Sequence, residues 1–320
     1  MFDRVILHLG ATKTGTTAIQ TALHHASDSL AEQGTIYPAL RRARGDASRV
    51  NGNGKVFKFM KRQESNTNAR RSRLRTTLQN VVGESVGHTL LFSAEGLQQT
   101  SVDDIQLLKA EFERYGPLEI VYFVRHVTDH ALSQYGEYIR RRRLKDDFSE
   151  FAKYYKVSFL DVLRTWSDVC GTGSVKTYVY DPSQDAIANF FKLIGAEPPK
   201  EKTIVHRSLS YEELALMRWL NTRIDDRLTL VKFATSLSQH PSLSTKKLRA
   251  TSDDLRNLTV NNAHIVEQVN REFVTEGELK MASDKVIDDT PAEEIDLHQQ
   301  GPLLLTAIYE ALNYASRQSR

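Results

Sequence analysis

The chain is expected to fold as an α/β protein, a parallel β-sheet flanked by helices on both faces. Four short runs rich in β-branched and aromatic residues carry that expectation: Arg4–Leu9, His88–Ser93, Leu118–Val124 and Ser174–Tyr180. Each gives way to a segment with helix-like spacing rather than to a hairpin turn, and that alternation favours crossover helices and parallel pairing. Two of the runs are also apolar on successive positions, Leu90-Leu91-Phe92 and Ile120-Val121-Tyr122-Phe123-Val124. Strands covered on both faces read this way, whereas half-exposed strands alternate.

Helices are expected over Thr17–Gln33, Asp103–Arg114, Thr128–Arg143, Phe159–Val169, Asp185–Gly195 and Tyr211–Arg227. In the last of these, Leu214, Met217, Leu220 and Ile224 fall on one helical face. Neither an internal repeat nor a long Pro/Gly/Ser linker interrupts the 320 residues, so a single domain over 1–320 with insertions is expected. Two stretches are weaker as core: a polar, basic excursion over Ala39–Thr76, and Val274–Gln300, acidic and interrupted by Pro291. The part from about residue 205 onward is expected to be more helical.

Composition narrows the class. Hydrophobic residues make up 40% and charged residues 26%, with a formal net charge of +3, an ordinary globular balance. A single cysteine, Cys170, excludes an intrachain disulfide and any zinc site built on several thiolates. The apolar start Val5-Ile6-Leu7-His8-Leu9 is only a strand long and runs into a glycine, so it is neither a signal-peptide core nor a membrane span. A cytoplasmic protein without a membrane span is expected.

The first strand is followed by Gly10-Ala11-Thr12-Lys13-Thr14-Gly15-Thr16-Thr17 and then by a helix. In a strand–loop–helix setting, backbone N–H groups and the helix N-terminus attract an anion. Gly15 permits close backbone approach, Thr14, Thr16 and Thr17 supply hydroxyls, and Lys13 supplies charge. The spacing Gly10-x4-Gly15 is that of a nucleotide-binding P-loop, but Thr16 stands where that motif requires lysine. The lysine sits instead at Lys13, two residues before the glycine. A tight turn with a good helix start would explain the glycines and threonines; the lysine among three hydroxyls favours an anion site.

The run Leu118–Val124 delivers Arg125 at its end, and Ser133 follows eight residues later on a helix. Ligands of open α/β sheets bind at the C-terminal strand ends, so Arg125 and the Lys13 loop should face one crevice. An arginine fork suits a phosphate, and a serine hydroxyl can close the other side.

Lys13-Thr14-Gly15-Thr16-Thr17 followed by Arg125 and Ser133 resembles the two cofactor-binding signatures of sulfotransferases that use 3′-phosphoadenosine-5′-phosphosulfate (PAPS). The wider pattern is similar to the bacterial branch of that family. It includes His8-Leu9-Gly10, Ala18-Ile19-Gln20, Phe92-Ser93-Ala94-Glu95, Leu163-Arg164-Thr165-Trp166 and Val175-Lys176-Thr177-Tyr178, then Phe190-Phe191-Lys192-Leu193-Ile194-Gly195 and Arg207-Ser208-Leu209-Ser210. The resemblance covers residues 4 to about 225 and implies a P-loop-type parallel sheet with helical and loop insertions. It implies that the lysine loop binds the 5′-phosphosulfate of PAPS, that Arg125 and Ser133 bind the 3′-phosphate, and that 3′,5′-ADP is a product. The glycine-rich, lysine-bearing C-terminal motif of animal cytosolic sulfotransferases is absent. Arg207, in a loop before a helix, is therefore expected to reach the adenosine end. Ser210 and Glu213 also have the spacing of a capping box.

Sulfuryl transfer needs a base for the acceptor and stabilisation of the leaving phosphate oxygen. Lys13 is the candidate for the latter. Glu95, just past the second strand, resembles the family's general base in its location; capping a helix or pairing with Lys13 or Arg125 would be its structural alternative. His8 is the second candidate base, although a strand histidine is more often a hydrogen-bonded core residue. The scheme uses no metal, and no carboxylate/histidine cluster shows ligand spacing.

Ala39–Thr76 holds twelve Lys/Arg against Asp46 and Glu64, and Arg140-Arg141-Arg142-Arg143 ends a helix. Cations at a helix C-terminus are favourable on dipole grounds alone. The larger stretch suits an anionic acceptor, a glycan or glycolipid, and the charge near Asp284–Asp296 can offset it. Few aromatics interleave with the cations, so no nucleic-acid partner is expected. A P-loop kinase, disfavoured by Thr16 and by strands ending in Ser93 and Arg125 rather than a magnesium-binding aspartate, and a non-catalytic polyanion-binding protein are the rivals.

Overall fold

The computed structural model describes residues 1–38, 52–54, 57, 67–181, 185–199, 207–239, 246–283 and 286–289. Most of the basic excursion over Ala39–Thr76 therefore lies outside the described residues, as does all but 286–289 of the acidic stretch Asp284–Asp296. Two compact units are distinguished. Unit 1 comprises Met1–His126, Val157–Val205 and His264–Leu279; unit 2 comprises Val127–Lys156, His206–Ala263 and Lys280–Arg320.

Unit 1 is an α/β layer structure. Its strands are β1 (Arg4–His8), β2 (Thr35–Ile36), β3 (Thr89–Ser93), β4 (Leu118–Arg125), β5 (Val175–Tyr180) and β6 (Val274–Glu276). They form one sheet in the order β2-β3-β1-β4-β5-β6. Every pairing is parallel. The four strands read from sequence are the four central ones. The two edge strands, of two and three residues, carry too short a pattern to be read.

Alternation along the strands assigns the two faces. Ile6, Leu91, Val121 and Phe123 point to one face, where Ile19, Leu23, Phe190, Phe191 and Ile194 cover them. Those residues belong to α1 (Thr16–His25) and to a helix at Ala186–Ile194. On the opposite face Phe92 meets Phe57 and Phe112 at ring distances of 5.3 and 5.1 Å, and Tyr122 meets Phe159 at 6.4 Å. A parallel sheet buried on both sides is the architecture expected of successive apolar positions. Chain order places β1 at the centre, with the crossover from β3 to β4 passing it, so the C-terminal edge of β1 is the topological switch point where α/β proteins bind ligands.

The expected helix Thr17–Gln33 is broken at Ala26 into α1 and α2 (Ser27–Glu32). Helix α3 (Thr67–Val82) was hidden by its charge: only Leu74, Leu78 and Val82 of its sixteen residues are buried. Two of its arginines are tied to α4 (Val102–Phe112), Arg70 to Asp104 at 2.5 Å and Arg75 to Glu111 by a fork at 2.9 and 2.8 Å.

Unit 2 is helical in its described residues. It holds α5 (Val127–Arg142) and α6 (Phe148–Tyr154); α7 (Phe159–Cys170) and α8 (Ala186–Ile194) belong to unit 1. Unit 2 continues with α9 (Tyr211–Asn221), α10 (Arg227–Gln239) and the first half of α11 (Ser252–Glu272). Tyr135, Phe148 and Phe151 form an aromatic cluster between α5 and α6. The predicted helix Tyr211–Arg227 stops at Asn221. Asp226 accepts from the amides of Leu228 and Thr229 and so starts a new helix. The capping box at Ser210 and Glu213 is present. The arginine run ending α5 is used within unit 2: Arg140 and Arg141 pair with Glu137, and Arg143 donates to the carbonyls of Ile224 and Asp225.

Candidate functional site

The loop Gly10–Thr17 leaves the C-terminal end of β1 and enters α1 through Gly15, which adopts φ 75° at the N-cap. No side chain caps the first turn of α1 and no acidic residue lies in it. The dipole of this helix end therefore favours an anion. A β-carbon on Gly15 would stand 3.1 Å from the ring of Tyr180 and from the Ala186 side chain, so the αL conformation and the tight fit both require glycine.

Hydroxyls that sequence offered to a ligand are divided by the structure. Thr14 Oγ1 donates to the carbonyl of Ala11 at 2.6 Å, and Thr16 Oγ1 donates to the same carbonyl at 3.3 Å. Both side chains are buried, and they shape the loop; Thr17 is exposed. Lys13, half-buried, has φ 68°. A non-glycine residue in that region costs about 1–2 kcal/mol.

Arg125, the last residue of β4, comes to this loop. Its Nη1 donates to the Lys13 carbonyl at 3.0 Å, and its guanidinium lies 5.6 Å from the centre of the Tyr180 ring. Tyr180 ends β5, the next strand over, in register with Arg125. It was not singled out from sequence, although the end of a strand adjacent to Arg125's was the signal available. Glu95 is half-buried and opens a 3-10 turn directly after β3. Its neighbour Ala94 is tied to β1 by its backbone N–H, which donates a hydrogen bond to the His8 carbonyl at 2.9 Å. Lys13, Arg125 and Glu95 therefore stem from the C-terminal ends of three adjacent strands.

Ser133 lies on α5 and Arg207 before α9, both in unit 2. Arg207 forks onto the fully buried carboxylate of Glu213 at 2.6 and 2.7 Å and donates to the Leu237 carbonyl at 2.7 Å.

His8 is completely buried between Phe190 and Phe123, at ring distances of 4.8 and 5.7 Å. Its Nδ1 is 2.9 Å from Ser93 Oγ, and burial depresses its pKa to about 3. An imidazole this reluctant to take a proton is poorly suited to the base role considered for it. Ser93 Oγ also accepts from Gln20 Nε2 at 3.1 Å, and Asn53 Oδ1 accepts from the Ser93 amide at 2.8 Å. Sequence did not reveal this polar cluster under the loop.

No family model and no curated protein matches this chain. Among the described residues no three of His, Cys, Asp or Glu are gathered as metal ligands, and no helix is long and apolar enough to cross a membrane.

Proposed function

We propose that the chain is a sulfotransferase moving a sulfuryl group from PAPS to a hydroxyl or amine, with a carbohydrate as the favoured acceptor class. The observation that carries this reading is the bond from Arg125 to the Lys13 carbonyl, which joins two phosphate-type binding elements at the switch point of the sheet. One is a helix N-terminus behind a glycine loop; the other is an arginine at a strand end. A donor with a phosphate at each end of a ribose asks for two such elements. The loop that would hold it fits on its own terms: the first turn of α1 carries no side-chain cap and no acid.

PAPS would supply a sulfuryl group already activated on a phosphate leaving oxygen. Lys13 would stabilise the negative charge left on that oxygen, and its unfavourable φ of 68° supports a role for its side chain. Glu95 would accept the proton released by the acceptor. Arg125, oriented by the Lys13 carbonyl and the Tyr180 ring, would bind the 3′-phosphate. Ser133 is carried by the family resemblance alone, and Arg207 only by its position in a loop before a helix. The strands flanking β1 end in Ser93 and Arg125, which leaves a kinase without the acid that would hold magnesium.

Calorimetric titration with 3′,5′-ADP and with ATP–Mg²⁺ tests the donor. The expected outcome is tighter binding of 3′,5′-ADP. Preference for ATP–Mg²⁺ would overturn the reading. Transfer of labelled sulfate from PAPS to a panel of glycans, small alcohols and amines then identifies the acceptor.

A further inference from the structure

The buried cluster beneath the loop has a direction. The Gly52 amide, which can only donate, is 2.9 Å from Gln20 Oε1. That bond fixes the Gln20 amide so that Nε2 donates to Ser93 Oγ at 3.1 Å. Ser93 has one hydroxyl hydrogen, and the acceptor left for it is His8 Nδ1 at 2.9 Å. A neutral imidazole that accepts at Nδ1 carries its hydrogen on Nε2. The relay from Gly52 through Gln20 and Ser93 to His8 therefore favours the tautomer with its hydrogen on Nε2.

That N–H has no hydrogen-bond partner among the described residues, although His8 is completely buried. A buried donor without a partner, set beside a loop at a helix N-terminus, invites an acceptor from outside. Its direction is legible from Gly10, which has φ 54°. The place where a β-carbon of Gly10 would stand is 3.1 Å from His8 Nε2 and 2.7 Å from Thr16 Oγ1. His8 Nε2 therefore lies against Gly10 and Thr16, at the root of the loop.

We propose that His8 is an anion-binding residue whose Nε2–H donates to an oxygen of a phosphate- or sulfate-type group held by the Gly10–Thr17 loop, and that Ser93 and Gln20 are positioning residues that set its tautomer. This deepens the reading of the loop given above and rests on it. Burial keeps the imidazole neutral at physiological pH, so the donor is a dipole rather than a second cation beside Lys13. A neutral donor fixed before the ligand arrives needs no reorganisation on binding.

The test uses the full chain labelled with ¹⁵N at histidine, titrated with inorganic sulfate and, separately, with 3′,5′-ADP. The ring nitrogen shifts are expected to show the Nε2–H tautomer of His8 before addition, and the Nε2–H proton is expected to move downfield on addition of either anion. An Nδ1–H tautomer, or an Nε2–H proton that does not respond to a bound anion, overturns the proposal. By calorimetry His8→Leu is expected to lose about tenfold in affinity. His8→Gln, whose amide nitrogen can reach the same place, should recover part of it. Wild-type affinity in a folded His8→Leu would mean that Nε2–H does not touch the anion, and the proposal fails. In Ser93→Ala the tautomer should become mixed, which a purely packing role would not predict. Binding of sulfate without 3′,5′-ADP would overturn the PAPS reading while leaving His8 to be judged on the sulfate arm; binding of neither overturns both. Because the titration is done on the wild-type chain, instability of a variant does not remove the test.

Discussion

Arg125 donates from Nη1 to the backbone carbonyl of Lys13 at 3.0 Å, so the residue proposed for one phosphate holds the backbone of the residue proposed for the other. Tyr180 supports the guanidinium from the neighbouring strand. A lysine at this position keeps charge but cannot fork or lie over the ring in the same way. Arg125→Lys is therefore expected to weaken 3′,5′-ADP binding about tenfold or more, measured by calorimetry. Unchanged affinity would separate Arg125 from the ligand.

Lys13 should separate stability from turnover. Its φ of 68° suits glycine better than any side chain. Lys13→Gly is expected to keep or raise stability, by roughly 0.5–1 kcal/mol once the extra freedom of the unfolded chain is set against relief of strain. The same change should lower turnover by about 10²–10³ if the ammonium stabilises the leaving oxygen. Thermal melts and a PAPS-dependent assay on one preparation read both. A variant with wild-type turnover would remove Lys13 from the chemistry.

His8 predicts a pH dependence of folding. Its pKa is about 3 in the folded chain against an ordinary 6.5. Below 6.5 the unfolded chain binds a proton that the folded chain refuses, so this group's contribution is intact above 6.5 and is lost as pH falls toward 3. From pH 7 to pH 5 the loss amounts to about 2 kcal/mol, integrating about 1.4 kcal/mol per unit. Urea unfolding of wild type and His8→Gln at both values isolates it. Equal pH slopes in the two chains would contradict the burial.

Arg207 and Glu213 form a pair in which the carboxylate is fully buried and the guanidinium is 26% exposed. Arg207→Ala leaves that buried carboxylate with the Ser210 amide but without its cation, and is expected to cost about 3–5 kcal/mol, seen as a lower melting temperature. Ser210→Ala removes only the cap and should cost about 1 kcal/mol. A small effect of Arg207→Ala on melting, together with lost 3′,5′-ADP affinity, would instead favour the ligand role expected from the sequence.

The central sheet was legible because its signals are local. Ile120 to Val124 are apolar in succession, and Gly10, Gly15 and Lys13 announce a loop between a strand and a helix. The edge strands Thr35–Ile36 and Val274–Glu276 were not, because two or three residues carry no period. Helix α3 was masked by arginines whose partners, Asp104 and Glu111, lie more than thirty residues away. The expected helix Tyr211–Arg227 ran past the end of α9, and α10 was not read, because Asp226 acts as a cap only when the chain turns there.

The sequence by itself determined the class of fold, the strand that carries the loop and the residue types gathered in that loop, since each depends on neighbours within one element. Only the tertiary structure decided what those residues do. It turned Thr14 and Thr16 inward onto the Ala11 carbonyl, and it set Arg125 against Lys13. It also buried His8 against Ser93, itself bonded to Gln20, with Nε2 beside Gly10. The physical reason is strand order: β1 pairs with β3 and β4, whose residues lie about eighty-five and more than one hundred positions along the chain, and hydrogen bonds between them follow from that pairing rather than from any local pattern.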